Sequence, residues 1–282
     1  MEHIREAIER AKEGHLTDPQ SPRTMAGTGP LLQQPQLLNA GGANETLPEI
    51  EEVRLNAVQL EDNRLISHDV ADPRSKSIDM LRTQVLQSMN LNSWQLLGVT
   101  SPTADCGKSV IATNLALSMA RQSERSVLLI DLDLQKPNVA RYLGLKRDRG
   151  ILGVLEGRIK LMSAIRKARI YSHQFFVLPC EASTSRSSEL IASRAMSTTL
   201  QEIKRDFRSC TVIIDLPPLL PTDDVLSILP SIDCVLLVAA AETSTVPEVK
   251  ECGKHLTTVP VVRFVLNKVT DKAAAYYTRY AD

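Results

Sequence analysis

The feature that most constrains the fold is a small-residue loop between an apolar run and a helical run. The loop reads Gly98-Val-Thr-Ser-Pro-Thr-Ala-Asp-Cys-Gly-Lys-Ser109. The apolar stretch Gln95 to Thr100 fits a buried strand, and Val110 to Ala120 fits a helix. Strand, loop, Gly-Lys-Ser and helix form the context of a phosphate-binding loop, where backbone N–H groups and the helix dipole attract an anion. We expect Lys108 to reach the β- and γ-phosphates and the Ser109 hydroxyl to bind Mg²⁺.

The loop departs from the full phosphate-binding pattern at two positions. Pro102 stands six residues before the Lys, where the pattern has Gly, and Asp105 places a carboxylate inside the loop. Because a carboxylate repels phosphates, we expect Asp105→Gly to tighten nucleotide binding. The residues expected at the nucleotide are Thr103, Ala104, Asp105, Cys106, Gly107, Lys108, Ser109 and Val110.

Length and composition exclude several protein classes. The 282 residues have room for one large domain with appendages, and the net charge of zero implies no nucleic-acid partner. The longest apolar run, Cys234 to Ala241, is too short to cross a bilayer, and the charged N-terminus does not resemble a signal peptide. The five cysteines form no C-x-x-C pair, which favours buried reduced thiols and a cytoplasmic protein.

The N-terminal third reads as two segments. Residues 1–48 are predicted as an amphipathic helix over 2–13, followed by a flexible linker rich in Gly and Pro. That helix packs on its own domain or docks on a partner; the pattern leaves both open. Residues 49–93 form a lead-in segment, in which Ile50 to Leu60 fits a strand or a short helix and Ser77 to Met89 fits a helix.

From residue 94 to residue 270, apolar strand-like runs alternate with helical runs. This alternation predicts an α/β fold with a mostly parallel sheet flanked by helices. The predicted strands are Ser126–Ile130, Phe175–Leu178, Thr211–Ile214, Cys234–Ala240 and Val261–Leu266, and the predicted helices are Leu200–Phe207 and Pro247–Leu256. In such a sheet, ligands bind beyond the carboxyl ends of the strands. The phosphate-binding loop, Asp131, Asp133, Asp215 and Asn267 all fall at those ends.

The three aspartates suit a nucleoside triphosphate site. Asp215 follows an apolar strand and precedes two prolines, which fits a carboxylate that holds Mg²⁺ through water. Asp131 and Asp133 occupy alternate positions and face the same way if the strand continues. One would then bind Mg²⁺ while the other accepts a proton from an attacking hydroxyl. The alternative for an Asp at a strand end is the N-cap of a following helix.

Taken together, these motifs resemble the bacterial tyrosine kinases of capsular and exopolysaccharide synthesis, which are P-loop proteins related to the division-site and partition ATPases. The resemblance covers about residues 74–270. The segments that carry it are VLLIDLDLQKP, VIIDLPPLLPTDD, GILGVLEG, SSELIASRAM and FVLNKV. It implies ATP and Mg²⁺ as cofactors. It implies catalytic roles for Lys108, Asp131 and Asp133, metal binding by Ser109, Asp131 and Asp215, and a place near the nucleotide base for Asn267.

The resemblance also bears on the tail and on partners. Residues 271–282 offer Tyr276, Tyr277 and Tyr280 as acceptors phosphorylated in trans, although a terminus whose aromatic residues pack back on the domain is the alternative. The lack of membrane segments implies a separate membrane polysaccharide co-polymerase that activates the protein at the inner face of the cell membrane. The family's Glu-x-x-Arg-x-x-Arg assembly helix keeps only Arg82 here. This argues against the usual ring without excluding another homo-oligomer.

Two functions from different classes follow. The first is an ATP-dependent protein-tyrosine autokinase that regulates exopolysaccharide synthesis, chain length or export. The second is a catalytically weak or inactive regulatory ATPase that acts by association with the co-polymerase; the altered assembly helix and Asp105 favour it. A positioning ATPase would carry Lys where Thr103 stands, and an iron–sulfur carrier would need a C-x-x-C pair. We expect Lys108→Met to abolish phosphorylation with the fold intact, on the premise that Lys108 lies on a solvent-facing rim.

Overall fold

The computed structural model describes residues 50–122 and 126–269. The predicted N-terminal helix, the linker and the three tail tyrosines lie outside the described residues. The lead-in segment supplies an edge strand and two helices to the same fold as the residues that follow it.

The described residues form an eight-stranded sheet in the order β1-β4-β5-β3-β6-β2-β7-β8. All neighbouring strands pair in parallel except β4 and β5, which form an antiparallel hairpin. The strands are β1 (Glu51–Arg54), β2 (Leu96–Thr100), β3 (Ser126–Asp131), β4 (Arg166–Ile170), β5 (His173–Leu178), β6 (Cys210–Asp215), β7 (Cys234–Ala240) and β8 (Val261–Asn267). The predicted α/β fold with a mostly parallel sheet is confirmed.

Helices cover both faces of this sheet. They are α1 (Ala57–Asp62), α2 (Lys76–Leu91), α3 (Lys108–Ala120), α4 (Val139–Leu143), α5 (Ile151–Leu155), α6 (Leu161–Ala164), α7 (Ser187–Ile191), α8 (Arg194–Asp206), α9 (Asp224–Ile228) and α10 (Val246–His255). Strand β6 shows why two layers are needed: Val212 and Ile214 enter one apolar core, and Ile213 enters the other. Because successive side chains point to opposite faces, a strand that is apolar throughout must be covered on both sides.

The lead-in segment is attached to helix α3 through a buried asparagine. The Asn114 Oδ1 atom accepts hydrogen bonds from the backbone N–H groups of Ile66 and Ser67, at 2.9 and 3.0 Å. Its Nδ2 atom donates to the carbonyl oxygens of Arg64 and Val110, at 2.9 and 3.0 Å. One side chain therefore satisfies the backbone of an irregular stretch that has no sheet or helix partner of its own.

An acidic residue of α2 makes a second attachment to α3. Asp79 accepts hydrogen bonds from Ser118 Oγ at 2.5 Å, Arg121 Nη2 at 2.7 Å and Arg82 Nη1 at 3.2 Å. Arg82 also donates to the carbonyl oxygen of Ser118, at 3.3 Å. The one arginine that the predicted assembly helix retains is thus engaged within the chain.

Several elements differ from the sequence-based expectation. Ile50 to Leu60 contains both a strand and the start of a helix, and helix α8 begins at Arg194, six residues before the predicted Leu200. Strand β4 was not predicted, because its sequence RKARI is mostly charged. Its Arg166 is nevertheless buried, since the guanidinium reaches the carbonyl oxygen of Lys146 and the carboxylate of Asp148.

Candidate nucleotide and metal site

The phosphate-binding loop passes into helix α3 through a left-handed glycine. Gly107 has φ of +89° and is the N-cap of α3, which begins at Lys108. A Cβ atom placed on Gly107 would lie 2.2 Å from the Nδ2 atom of Asn267. Both the backbone conformation and the missing space require glycine at this position.

The loop that follows β6 holds the beginning of the phosphate-binding loop in place. Thr100 Oγ1 donates to the carbonyl oxygen of Pro217 at 2.7 Å. The Leu219 N–H donates to the carbonyl oxygen of Ser101 at 2.8 Å, and the Leu220 N–H donates to that of Pro102 at 3.1 Å. Pro102 takes part in this contact through its carbonyl group, which any residue at the position would also supply.

Asp105 is the exposed residue of the loop, and its backbone lies in the left-handed region with φ of +61°. That region favours glycine, and aspartate is one of the few other residues that enter it readily. The backbone geometry is therefore the one that glycine would adopt. The effect of the Asp105 carboxylate on nucleotide binding stays a prediction.

Lys108 does not lie on a solvent-facing rim, so that premise is wrong. Its side chain is only 9% exposed, and its Nζ atom lies 2.6 Å from Asp133 Oδ2 and 3.8 Å from Asp215 Oδ1. Burial by itself would lower the pKa of the ammonium group, but the carboxylates of Asp215 and Asp133 outweigh burial and raise that pKa above its usual value. Lys108 is thus a fixed cation inside an acidic site.

The structure separates the two aspartates that the sequence placed on one strand face. Strand β3 ends at Asp131, whose carboxylate accepts hydrogen bonds from the N–H groups of Val139 (3.0 Å) and Asp133 (3.3 Å). Val139 is the first residue of α4, whose N-cap is Asn138, so Asp131 binds one N–H at the start of this helix without being its N-cap. Burial and the neighbouring Asp215 raise the pKa of Asp131 well above its usual value. Asp133 lies beyond the strand, where one oxygen accepts from the Lys136 N–H (3.0 Å) and the other from Lys108.

Asp215 is the carboxylate of this site that lacks hydrogen bonds. It is fully buried at the end of β6, opposite Asp131 on β3, and neither of its oxygens has a hydrogen-bond partner among the described residues. Burial raises its pKa to about 6, against the opposing attraction of Lys108. A buried carboxylate without donors is a favourable position for a cation. Mg²⁺ prefers carboxylate and hydroxyl oxygens, so Asp215 and the nearby Ser109 fit a magnesium ion.

Asn267 ends strand β8 and reaches the phosphate-binding loop. Its Nδ2 atom donates to the carbonyl oxygen of Cys106 at 2.9 Å. Cys106 is fully buried, and its Sγ atom lies 3.4 Å from Ser244 Oγ, in the loop after β7. The contacts of Ser244 and Thr100 were not anticipated, because a single hydroxyl residue at a strand end or in a loop leaves no pattern in the sequence.

A comparison with protein families shows which family the chain belongs to. Residues 97–281 match the family model of the CobQ/CobB/MinD/ParA nucleotide binding domain. The chain belongs to this family. In this nucleotide-binding domain, the matched residues run from strand β2 through the phosphate-binding loop and every strand that follows.

Curated relatives carry a more specific name. A tyrosine-protein kinase ptk of Acinetobacter johnsonii is 30% identical over 237 residues, which are 80% of this chain and 31% of that protein. A putative tyrosine-protein kinase CapB of Staphylococcus aureus is 28% identical over 205 residues, which are 72% of this chain and 88% of that protein. The chain thus spans about a third of the first relative and most of the second. The resemblance to bacterial tyrosine kinases is confirmed.

Solved structures agree with these relatives. The kinase domain of Escherichia coli tyrosine kinase ETK matches with a TM-score of 0.65 and 27% identity, over 72% of this chain and 78% of that chain. The septum site-determining protein MinD of Pyrococcus horikoshii, solved with Mg-ADP, matches with a TM-score of 0.52 and 22% identity, over 64% and 73% of the two chains. The second match shows a shared fold. Within residues 50–122 and 126–269, no helix is long and apolar enough to cross a membrane.

Proposed function

We propose that this protein is an ATP-dependent protein-tyrosine autokinase that regulates exopolysaccharide synthesis, chain length or export. The observation that carries the proposal is the Lys108 ammonium group at the start of α3, 2.6 Å from Asp133 and 3.8 Å from the donor-free carboxylate of Asp215. An anion-binding helix start, a fixed cation and an unsatisfied metal-binding carboxylate are the parts that phosphoryl transfer requires. The names of the relatives support tyrosine as the acceptor.

ATP supplies the phosphoryl group that is transferred, and the residues at the start of α3 would bind it. The loop N–H groups and the helix dipole attract the phosphates. Lys108 contributes a positive charge whose position is already fixed, so little reorganisation accompanies the reaction. We assign nucleotide contacts to residues 103–110, and Asn267, which the resemblance places near the base, borders them through the carbonyl group of Cys106.

The carboxylates divide into a metal-binding pair and a base. Asp215 would hold Mg²⁺ together with the Ser109 hydroxyl, and Asp131, opposite Asp215 on the neighbouring strand, would complete the set. Asp133 lies beyond β3, and its Oδ2 atom is 2.6 Å from the Nζ atom of Lys108. We assign Asp133 to accept the proton of the attacking hydroxyl. When a phosphate group draws Lys108 away, Asp133 becomes free to do so.

Tyr276, Tyr277 and Tyr280 are the proposed acceptors. Following the resemblance to the bacterial tyrosine kinases, we propose transfer in trans between copies of the chain. A membrane polysaccharide co-polymerase is the proposed activator, and it would recruit this cytoplasmic protein to the inner face of the cell membrane.

Mass spectrometry of the C-terminal peptides after incubation with Mg-ATP tests the proposal. Wild type and Lys108→Met are compared, each with and without the cytoplasmic part of the cognate co-polymerase. Lys254→Met is the matched control, because Lys254 is an exposed lysine of α10 whose one ion pair among the described residues is with Glu251 of the same helix. Phosphate on the tail tyrosines of wild type and of Lys254→Met, but not of Lys108→Met, is the expected result.

A tail without phosphate, on a protein that binds ATP, would reject the autokinase. It would favour the second candidate, a regulatory ATPase that works by association with the co-polymerase. One observation favours that candidate: Arg82, the remaining arginine of the predicted assembly helix, is held by Asp79 and Ser118 within its own chain. It is therefore not free to join a neighbouring copy.

A further inference from the structure

Asn267 is held at both its side chain and its backbone. Its Nδ2 atom donates to the carbonyl oxygen of Cys106 at 2.9 Å. Its own carbonyl oxygen accepts from the N–H of Ala241, in the loop after β7, at 2.8 Å. These two hydrogen bonds fix the orientation of Asn267, which thereby connects strand β8 to the phosphate-binding loop.

The same side chain fills the space next to Gly107. A Cβ atom on Gly107 would lie 2.2 Å from Asn267 Nδ2, closer than non-bonded atoms approach. Gly107 is the left-handed residue through which the loop passes into α3. Asn267 therefore packs against the point where the loop changes direction.

The planarity of the peptide bond gives this contact a consequence for anion binding. In a trans peptide, the carbonyl group of Cys106 and the N–H group of Gly107 point in opposite directions. Because Asn267 holds the carbonyl group on its own side, the Gly107 N–H must point away from Asn267. The N–H groups of such a loop are the ones that bind phosphate.

Cys106 has a second anchor next to the first. Its Sγ atom lies 3.4 Å from Ser244 Oγ, and the same Ser244 oxygen accepts from the N–H of Ala240, at 3.0 Å. Residues from the ends of β7 and β8 thus hold both the side chain and the carbonyl group of Cys106. A rotation of the Cys106–Gly107 peptide would break contacts on both sides.

We propose that Asn267 is a positioning residue for the phosphates: it sets the orientation of the Cys106–Gly107 peptide and thereby the anion affinity of the loop. This inference rests on the proposed nucleotide binding, but it differs from a contact with the nucleotide base. A base contact contributes only to ligands that have the base. A peptide orientation contributes equally to every ligand that carries the phosphates.

Binding measurements with and without a base separate these two roles. The affinities of Mg-ATP and of Mg-tripolyphosphate are measured by calorimetry for wild type, Asn267→Ala and Asn267→Asp. Asn63→Ala is the matched control, because Asn63 Nδ2 also donates to a backbone carbonyl, that of Gln59 at 2.8 Å, but at the end of α1. We expect both Asn267 variants to lose about tenfold in affinity for both ligands, the loss that one hydrogen bond accounts for.

Asn267→Asp should lose at least as much as Asn267→Ala, because a carboxylate oxygen facing the Cys106 carbonyl group would push the peptide away. A loss confined to Mg-ATP would overturn the inference in favour of a base contact. Unchanged affinity for both ligands would also overturn it. The phosphorylation state of the tail does not enter this measurement, so the autokinase can fail while the inference stands.

A double-mutant cycle tests the contact without any ligand. Gly107→Ala is introduced into wild type and into Asn267→Ala, and thermal unfolding is followed for all four proteins. Gly107→Ala should lower Tm less in the Asn267→Ala background, where the clash is gone and only the backbone strain remains. Equal decreases would show that Asn267 does not constrain Gly107. If the wild-type protein binds neither ligand, the proposed nucleotide binding is rejected. The double-mutant cycle would still show whether Asn267 constrains Gly107.

Discussion

Two polar clusters lie against the same helix α3, a buried one at its start and a partly buried one along its side. The site cluster consists of Lys108, Asp131, Asp133 and Asp215; the lead-in cluster consists of Asp79, Arg82, Asn114, Ser118 and Arg121. In the lead-in cluster, every oxygen of Asp79 and every polar side-chain atom of Asn114 is hydrogen-bonded. In the site cluster, both oxygens of Asp215 lack a hydrogen-bond partner among the described residues.

This difference in hydrogen bonding distinguishes polar groups that stabilise the fold from polar groups that are available to bind a ligand. The lead-in cluster also has unpaired donors within the described part of the chain, the Nε atoms of Arg82 and Arg121, but each of these guanidinium groups forms an ion pair with Asp79. Asp215 instead lies 3.8 Å from Lys108, a cation that it shares with Asp133, and close to the Ser109 hydroxyl. A buried charge that lacks a close partner destabilises the fold, so a protein retains one where a bound ligand supplies that partner.

Loss of the cation is expected to have the largest effect. Lys108→Met should reduce tail phosphorylation by at least about a thousandfold, since a fixed charge at the transferred phosphoryl group is lost. It should also lower Tm at pH 8, because the carboxylate groups of Asp133 and Asp215 lose their buried cationic partner. At pH 6 the decrease in Tm should be smaller, since protonation of Asp215 removes one of the unpaired buried charges. Calorimetric scans at both pH values check this, and a Tm unchanged at pH 8 would show that Lys108 is not needed to balance the carboxylates.

Among the substitutions outside the site, removal of the buried Asn114 amide should have the largest effect on stability. Asn114→Ala leaves the N–H groups of Ile66 and Ser67 without an acceptor and should lower the free energy of unfolding by about 2–4 kcal/mol. Urea denaturation measures this value. Asn92→Ala is the control, because Asn92 is exposed and makes one local bond to the Ser88 carbonyl group. Similar losses in the two variants would contradict the attachment of the lead-in segment through Asn114.

The two carboxylates should respond to amide substitution with opposite signs. Asp215 has its pKa raised from 3.8 to about 6, so folding takes up a proton between these values and stability falls as the pH rises through them. In metal-free protein at pH 7, Asp215→Asn should therefore stabilise the fold by roughly 2–3 kcal/mol, the equivalent of about two pKa units. Between about pH 4 and 6 its stability should vary less with pH than that of wild type.

For Asp79, hydrogen bonds from Ser118 and Arg121 outweigh burial and lower the pKa, so its contribution is present above the usual value near 3.8 and is lost as the pH falls through the lowered pKa. Asp79→Asn should destabilise the protein at pH 7 by about 1–3 kcal/mol. Denaturant titrations at pH 5 and pH 7 with a chelator measure both variants. Destabilisation by Asp215→Asn at pH 7 would show that its carboxylate is satisfied in the absence of a ligand.

The exposed loop residue should give the smallest change. Asp105→Gly is expected to tighten Mg-ATP binding about two- to fivefold, because one exposed carboxylate near the phosphates is removed. Asp105→Asn measures the effect of the charge separately from that of the backbone, since asparagine also tolerates the left-handed conformation. Calorimetry at low and high salt should show the gain shrinking as screening increases. Equal or weaker binding in both variants would mean that the Asp105 side chain points away from the phosphates or has a role of its own.

Local sequence patterns were enough to predict the mostly parallel sheet, the loop at the start of α3 and the position of the polar candidates at or just beyond the strand ends. These follow from local patterns: apolar runs form buried strands, and parallel strands bring their carboxyl ends to one edge. The boundaries of the apolar strands were also placed within a few residues. Strand β4 was missed because burial of Arg166 depends on Lys146 and Asp148, which are distant in sequence.

Only the tertiary structure decided how the polar candidates relate to one another. It buried Lys108 between Asp133 and Asp215, where the sequence suggested an exposed rim. It placed Asn267 on the carbonyl group of Cys106, 161 residues away in the chain. Hydrogen bonds and charge pairing depend on distances of a few ångströms between segments far apart in sequence, and no local periodicity encodes those distances.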